Sequence, residues 1–542
     1  MGEALQGGRL AAQAIAAADV DVVFTLSGGH VMPIYEGCRH ESVRVVDLRH
    51  EQSAAHAAES WGRVRRTCGV ALVTAGPGVT GTVTAVANCL AAQTPLVVLG
   101  GARPLAQAEW GALQELDQLS LMKPITKWAA VCPSTRRIPE YVGIAFRQAL
   151  AQPRGPVYLE LPADVLFAEA EADAAPAAPR TAPRAFGDPA ELDRAAALLS
   201  SAERPAVVAG GGVWWDAADE QLATLAERAR LPTFLNGSGR GSLPPEHDLF
   251  FQHSRGTALE EADVVCVVGT PLDFRLRYGR FGSGKLVHVH GDPRELGRNR
   301  VPDAAIVGDC AAALGALADA VQAPRDARGG WLERLRGAES AWWEGRRAEI
   351  ESDAAPIHHY RLGAELDRVL DADTVVIGDG GDVVAAVSRV LRIRRPGHWL
   401  DPGPFGCLGV GPGYAVGVGA AGFGTQVVCV MGDGAFGLNG MDFDTLVRFG
   451  IPAVLVVGND AAWGEIRVPQ VGMYGLDAEV ATRLAPSRYD RLCEVFGGHA
   501  EHVERVGELA PALERALVSG EPAIVNVMLD PDAMAGHAYR GF

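Results

Sequence analysis

QVVCVMGDGAFGLNGMDFDTLVRFGIPAVLVVGND, residues 426–460, decides how the chain is read. An apolar run from Gln426 to Met431 fits a buried strand and stops at Gly432-Asp433-Gly434. A helical segment follows, apolar at Phe443, Leu446, Val447 and Phe449. A second apolar run, Ile451 to Val457, then stops at Asn459-Asp460. Two parallel strands joined by a helix bring both strand ends to one edge of a sheet. Asp433 and Asp460 are therefore expected together at the carboxyl edge, where open α/β sheets bind ligands. The Gly-flanked turn frees backbone N–H groups at a helix start, a seat for phosphate. Two carboxylates beside a diphosphate suit Mg²⁺, which takes few protein oxygens and shares phosphate oxygens. On this motif alone, an ordinary βαβ unit with an Asp in a Gly turn fits equally well.

Working outward, the same grammar recurs. VDVVFTLSGG, GVALVTAGPG, TPLVVLGG and GPVYLELP are apolar runs ending in Gly or Pro, so residues 1–168 read as a parallel α/β domain. The Ala/Pro-rich acidic stretch 168–190 reads as a linker. Residues 190–322 form a second α/β unit, with RPAVVAGGG, ADVVCVVGT and KLVHVHGDP as strands. Residues 323–355, charged and carrying Trp342-Trp343, make a partly helical connection, and 356–542 return to a βα pattern. The first and third domains echo each other: 69–101 repeats the strand, Gly turn, helix, strand order of 426–460. Two such sheets could sandwich a long cofactor between their loops.

Composition narrows the function classes. A chain of 542 residues with 48% hydrophobic and 21% charged residues has ample core for three or four domains. A net charge of −17 argues against nucleic acid and anionic membrane surfaces as partners. Nine cysteines, none in a CxxC pair and several inside apolar runs, fit reduced buried thiols in a cytoplasmic protein. MGEALQGGRL lacks the pattern of a signal peptide. The apolar stretch 402–424 is too dense in Gly and Pro for a membrane span and fits tight turns and close helix packing.

The motifs SGGH, DLRHEQ, TAGPG, GALQELDQLSL, DFRLRYG, LDPGPFGCLGVGPGYA and GDGAFG follow one another along the chain. Their order resembles the thiamine diphosphate (ThDP) enzymes of the acetolactate synthase branch. That branch includes benzaldehyde lyase and the 2-hydroxyacyl-CoA lyases. The resemblance implies pyrimidine-binding, central and diphosphate-binding domains and a cofactor pair of ThDP and Mg²⁺. Metal ligands carried over are Asp433, Asp460 and the backbone carbonyl of Ala462. The family more often has Asn at the position of Asp460, which keeps an oxygen ligand and adds charge.

Other roles carried over from the resemblance run through all the quoted motifs. Glu51, in the R-H-E stretch, would hydrogen-bond the aminopyrimidine and act as the catalytic carboxylate; read alone it is a charge at a helix start. His30 and Gln114 would face the reacting carbon and relay protons, as a His near neutral pKa can. Gly28, Gly29, Pro77 and Asn88 would border the pyrimidine end. Gly406 would offer its carbonyl to that ring, and Leu408 would be the bulky residue beneath the cofactor. Gly380, Gly381, Asp382, Gly432, Gly434 and Ala435 would lie at the diphosphate, and Trp463 would line the pocket. In the central domain, Gly210-Gly211-Gly212, Asp273-Phe274-Arg275 and Asp292-Pro293 fall where relatives hold FAD, or ADP or CoA, or nothing.

The implied activity is a carboligase or lyase acting on 2-oxoacids through an acyl-anion intermediate, like acetolactate synthase. The alternative is a 2-hydroxyacyl-CoA lyase, and a non-catalytic relative keeping only the fold is a third reading. Two features favour small 2-oxoacids. Pro469 stands where the CoA lyases have a Glu, and the tail AMAGHAYRGF offers one basic residue, Arg540. Relatives place the active site between subunits, which implies a homodimer or homotetramer.

Overall fold

The computed structural model describes residues 4–171, 184–322 and 328–534. Three wholly parallel sheets organise them. The first orders its six strands Arg44–Asp47, Val22–Thr25, Gly69–Val73, Leu96–Ala102, Pro156–Pro162 and Trp128–Val131. The last orders its six Trp399–Leu400, Thr374–Asp379, Gln426–Gly432, Ala453–Asn459, Ala523–Met528 and His499–Val503. Numbered along the chain within each sheet, both read 2-1-3-4-6-5. The echo between the two domains is thus a repeat of topology. The five-stranded central sheet reads 2-1-3-4-5, with Pro205–Ala209, Val264–Val268 and Lys285–His290 as its inner strands.

In each order the chain reverses direction between the first and third strands, and crevices open at such switch points. The relevant strand ends are Thr25 and Val73 in the first sheet, Ala209 and Val268 in the central one, and Asp379 and Gly432 in the last. Every Gly-rich turn singled out from the sequence follows one of these strands or lies beside it. That placement follows from composition: β-branched runs buried on both faces form the strands, and Gly lets backbone pass close at their ends.

First and third domains share one continuous core, running from Leu10 to Leu166 and from Val375 to Ile524. Its seam is a pair of helices, Glu51–Arg65 and Gly411–Ala421. The second is faced with glycine because nothing larger fits. A Cβ on Gly417 would lie 2.1 Å from the Ala57 carbonyl oxygen and 2.2 Å from Ser60 Oγ. This is the stretch that is apolar enough to suggest a span, and it is a packed interior helix. No helix among the described residues is long and apolar enough to cross a membrane. Buried Arg63 ties all three domains: it donates to the Asp401 carbonyl at 2.6 Å, Tyr414 Oη at 3.2 Å and Ser238 Oγ at 2.8 Å.

Residues 328–350 of the charged second connection are dominated by one helix, Gly329–Ile350, on which Trp342 stacks against His253 at 3.4 Å. Phe449, expected on an apolar helical face, is 38% exposed just past the helix Phe443–Arg448. Residues 172–183 of the linker and 535–542 of the tail, Arg540 included, lie outside the described residues.

Candidate active site

At the edge of the first sheet, His50 caps the helix Glu51–Arg65, its Nδ1 accepting the Gln52 N–H at 2.9 Å. Glu51 is therefore both the helix-start charge and a residue aimed across the sheet edge. It lies over Gly81, where a Cβ would stand 2.9 Å from Glu51 Oε2. Beside it opens a cavity of about 500 Å³ that brings together Gly28, Gly29, His30, Pro77 and Gln114. His30 Nδ1 lies 3.0 Å from Thr74 Oγ1, which donates to Gln114 Oε1 at 3.2 Å. One hydroxyl thus joins His30 to Gln114. Burial lowers the His30 pKa below its ordinary value, so its ring is neutral near neutral pH and able to accept a proton. Every residue lining this cavity belongs to the first domain.

A second group of side chains sits at the edge of the last sheet. Asp433 Oδ1 accepts the Gly434 N–H at 2.8 Å, and Asp460 Oδ1 accepts the Ala462 N–H at 3.1 Å. Each carboxylate braces its own turn with one oxygen. The other oxygens, Asp433 Oδ2 and Asp460 Oδ2, are buried beside one another, with no hydrogen bond of good geometry to either among the described residues. Buried oxygens left unsatisfied are costly unless something charged completes them. A hard divalent cation does that, so the donor set fits Mg²⁺ and, through it, a diphosphate.

Asp382 joins the pair. A Cβ on Gly464 would fall 2.0 Å from Asp382 Oδ2 and 2.6 Å from Asp460 Oδ2, so only Gly permits this approach. Ligand atoms of His359, Asp382 and Asp460 lie within 4.8 Å of one another. Burial first, and then the Asp382 and Asp433 charges, push Asp460 up to about 8. Burial likewise pushes Asp433 up to about 6. Ala435 is buried on the helix Asp433–Asn439, and Trp463 covers that helix: a Cβ on Gly434 would meet its ring at 2.7 Å.

Such an edge, built on the same topology as the Glu51 edge, matches known proteins throughout. Residues 5–121 match the thiamine pyrophosphate enzyme N-terminal TPP binding domain, 192–317 the central domain and 379–527 the C-terminal TPP binding domain. A probable acetolactate synthase of Mycobacterium bovis is 43% identical over 536 residues, covering 98% of this chain and 96% of the relative. The chain belongs to the thiamine pyrophosphate enzyme family. An acetolactate synthase large subunit of Mycobacterium tuberculosis matches to the same extent, 43% over 98% of this chain and 96% of its own. Human 2-hydroxyacyl-CoA lyase 2 is 34% identical over 577 residues, covering 96% of this chain and 90% of its own. The protein is a thiamine diphosphate enzyme, and its family forms and breaks bonds to carbon beside a carbonyl.

The remaining sequence-named residues fall into place around these edges. Gly380 and Gly381 follow the strand Thr374–Asp379, and a Cβ on Gly381 would lie 2.2 Å from Glu465 Oε2. Gly406 is exposed with φ of +66°, and Leu408 is half-buried against the joint core. Asn88 is fully buried, with neither amide atom hydrogen-bonded among the described residues. Sequence reasoning missed Glu465, whose carboxyl is raised by burial and then by Asp382. It also missed a set of arginines between the central and last domains. Arg240, Arg255, Arg277, Arg389 and Arg392 line a cavity of about 760 Å³ there. Burial, and then the Arg240, Arg275, Arg277 and Arg389 charges, bring Arg255 down to about 10. A separate cavity of about 390 Å³ lies at the central switch point, lined by Gly211, Gly212, Thr270, Asp273 and Arg275.

Proposed function

We propose that the protein is a ThDP- and Mg²⁺-dependent carboligase acting on 2-oxoacids in the manner of acetolactate synthase. One observation carries this reading. Buried Asp433 and Asp460 follow adjacent strands at the carboxyl edge of the last sheet, and Glu51, His30 and Gln114 gather at the carboxyl edge of the first sheet, which has the same strand order. Asp433, Asp460 and the Ala462 carbonyl would hold the metal, and Gly380, Gly381, Asp382, Gly432, Gly434 and Ala435 the diphosphate. Pro77, Asn88, Gly406, Leu408 and Trp463 would hold the ring end. When bound, ThDP supplies a carbon nucleophile and an electron sink. Glu51 accepts and returns a proton at its carboxylate, and neutral His30, joined to Gln114 through Thr74, moves a proton at the substrate oxygen.

Among the described residues, the Glu51 cavity draws no lining from the last domain of its own chain, which supports sites completed by a second copy in a homodimer or homotetramer. Nine buried free thiols support a cytoplasmic location. The central crevice lies where the sequence reading puts FAD or ADP/CoA, and its Gly211-Gly212 backbone suits a diphosphate.

The arginine-lined cavity favours a second reading, cleavage or formation of 2-hydroxyacyl-CoA. Six arginines line that cavity; Arg275 and Arg392 pair with Asp273 and Asp367, and the remaining four gather positive charge on one space, for which phosphate is a well-matched ligand. A substrate panel of pyruvate, other 2-oxoacids and a 2-hydroxyacyl-CoA, with products identified by mass spectrometry, tests both readings.

A further inference from the structure

Asp379 has no part in the chemistry above, yet it is fully buried at the end of the strand Thr374–Asp379. Its Oδ1 accepts the Gly409 N–H at 3.0 Å and its Oδ2 the Gly411 N–H at 2.7 Å. Those two amides come one and three residues after Leu408, so a single carboxylate grips the turn that carries Leu408. Asn439 Nδ2 holds the same turn from the other side, donating to the Gly409 carbonyl at 2.8 Å. The turn has no slack. Gly409 has φ of +80°, and a Cβ there would press 2.9 Å from Leu438 Cβ. A Cβ on Gly411 would stand 2.5 Å from Cys429 Sγ. Asp379 also leads directly into Gly380, Gly381 and Asp382, so its strand end touches both the Leu408 turn and the acidic edge.

We propose that Asp379 is a positioning residue that registers Leu408 against the metal and diphosphate edge. The inference rests on the ThDP reading. Residues that would hold the diphosphate at one end and Leu408 that would support the ring end at the other have to stand at a fixed separation to serve one cofactor. Asp379 is the one side chain that bonds the Leu408 turn from the strand carrying the other support. A hydrogen bond to a buried charge is strong, and misplacing a support by an ångström is felt at the reacting atoms.

Asp379→Asn keeps the shape and one acceptor but sets an NH₂ group against a backbone N–H. Binding of ThDP with Mg²⁺, measured by calorimetry, should stay within about threefold of wild type, because the metal ligands are untouched. The maximal rate kcat should fall about tenfold to a hundredfold with KM little changed, the range expected for one lost hydrogen bond to a charge. The near-ultraviolet circular dichroism of the bound cofactor should change as well. In a double-mutant cycle, Asp379→Asn should add little to the kcat loss of Leu408→Ala, since both act through one contact. Losses that multiply, or wild-type kcat in Asp379→Asn, overturn the proposal. If Asp379→Asn does not fold, Asn439→Ala loosens the same turn from its other side, and the same cycle with Leu408→Ala decides. Wild-type protein that binds no ThDP would instead overturn the reading on which the inference rests.

Discussion

Asp460→Asn tests the acidic edge most sharply, because between pH 7 and pH 9 wild type should respond to pH and the variant should not. In wild type, burial and the neighbouring Asp382 and Asp433 charges raise Asp460 to about 8. A metal ligates the carboxylate, not the acid, so binding must expel that proton. A group with its pKa raised to about 8 is ionised in about a tenth of molecules at pH 7. Mg²⁺ affinity at pH 7 should therefore sit about tenfold, or about 1.4 kcal/mol, below its plateau near pH 9. The sign is fixed: affinity rises with pH through the raised pKa and flattens above it. Asn keeps an amide oxygen at the same place and has no proton to lose. Its affinity should be flat from pH 7 to pH 9, falling only toward pH 6, where Asp433 titrates. Calorimetry with saturating ThDP, in buffers of different ionisation enthalpy, reads both quantities. Wild type should release about 0.9 proton per Mg²⁺ at pH 7 and Asp460→Asn almost none. Equal release by the two proteins, or a wild-type affinity independent of pH, refutes the argument.

Three further outcomes follow from the same geometry. Glu51→Gln should fold and bind ThDP yet lose about 10²–10⁴-fold in turnover, the usual share of one proton-transfer group, as steady-state kinetics will read. Gly417→Ala drives a methyl to 2.1 Å from the Ala57 carbonyl, so thermal unfolding should show a loss of about 1–3 kcal/mol or more. Inactive Glu51→Gln and Asp433→Ala chains, mixed and allowed to exchange subunits, should regain activity through sites that combine one intact edge from each. No recovery after verified exchange counts against sites shared between copies.

Much of this was legible from strand ends. An apolar run that stops at a Gly-rich turn marks where backbone must turn sharply beside a ligand, and 426–460, 69–78 and 374–382 all do so. Strand order was not legible. Nothing in a sequence pattern says that Pro156–Pro162 inserts between Leu96–Ala102 and Trp128–Val131, because crossover packing decides it. Convergence across long separations was equally hidden. Arg240, Arg255, Arg277, Arg389 and Arg392 look like scattered surface charges until the fold closes them around one cavity. Asp379 reads as one more residue at a strand end, and only its two bonds to Gly409 and Gly411 give it a purpose. The short pair Leu5–Gln6 and Glu169–Ala170, which closes the first domain on itself, carries no local signal at all.

The central claim is that carbon–carbon bonds of small 2-oxoacids are remade here, with Glu51 as the essential carboxylate. Its most direct test is ¹³C-labelled pyruvate, incubated with the protein, ThDP and Mg²⁺ and followed by carbon NMR, with Glu51→Gln as the control. The account predicts labelled CO₂ together with a five-carbon 2-hydroxy-3-oxo acid, both absent from the control. Pyruvate left unchanged, with rapid cleavage of a 2-hydroxyacyl-CoA under the same conditions, would contradict it.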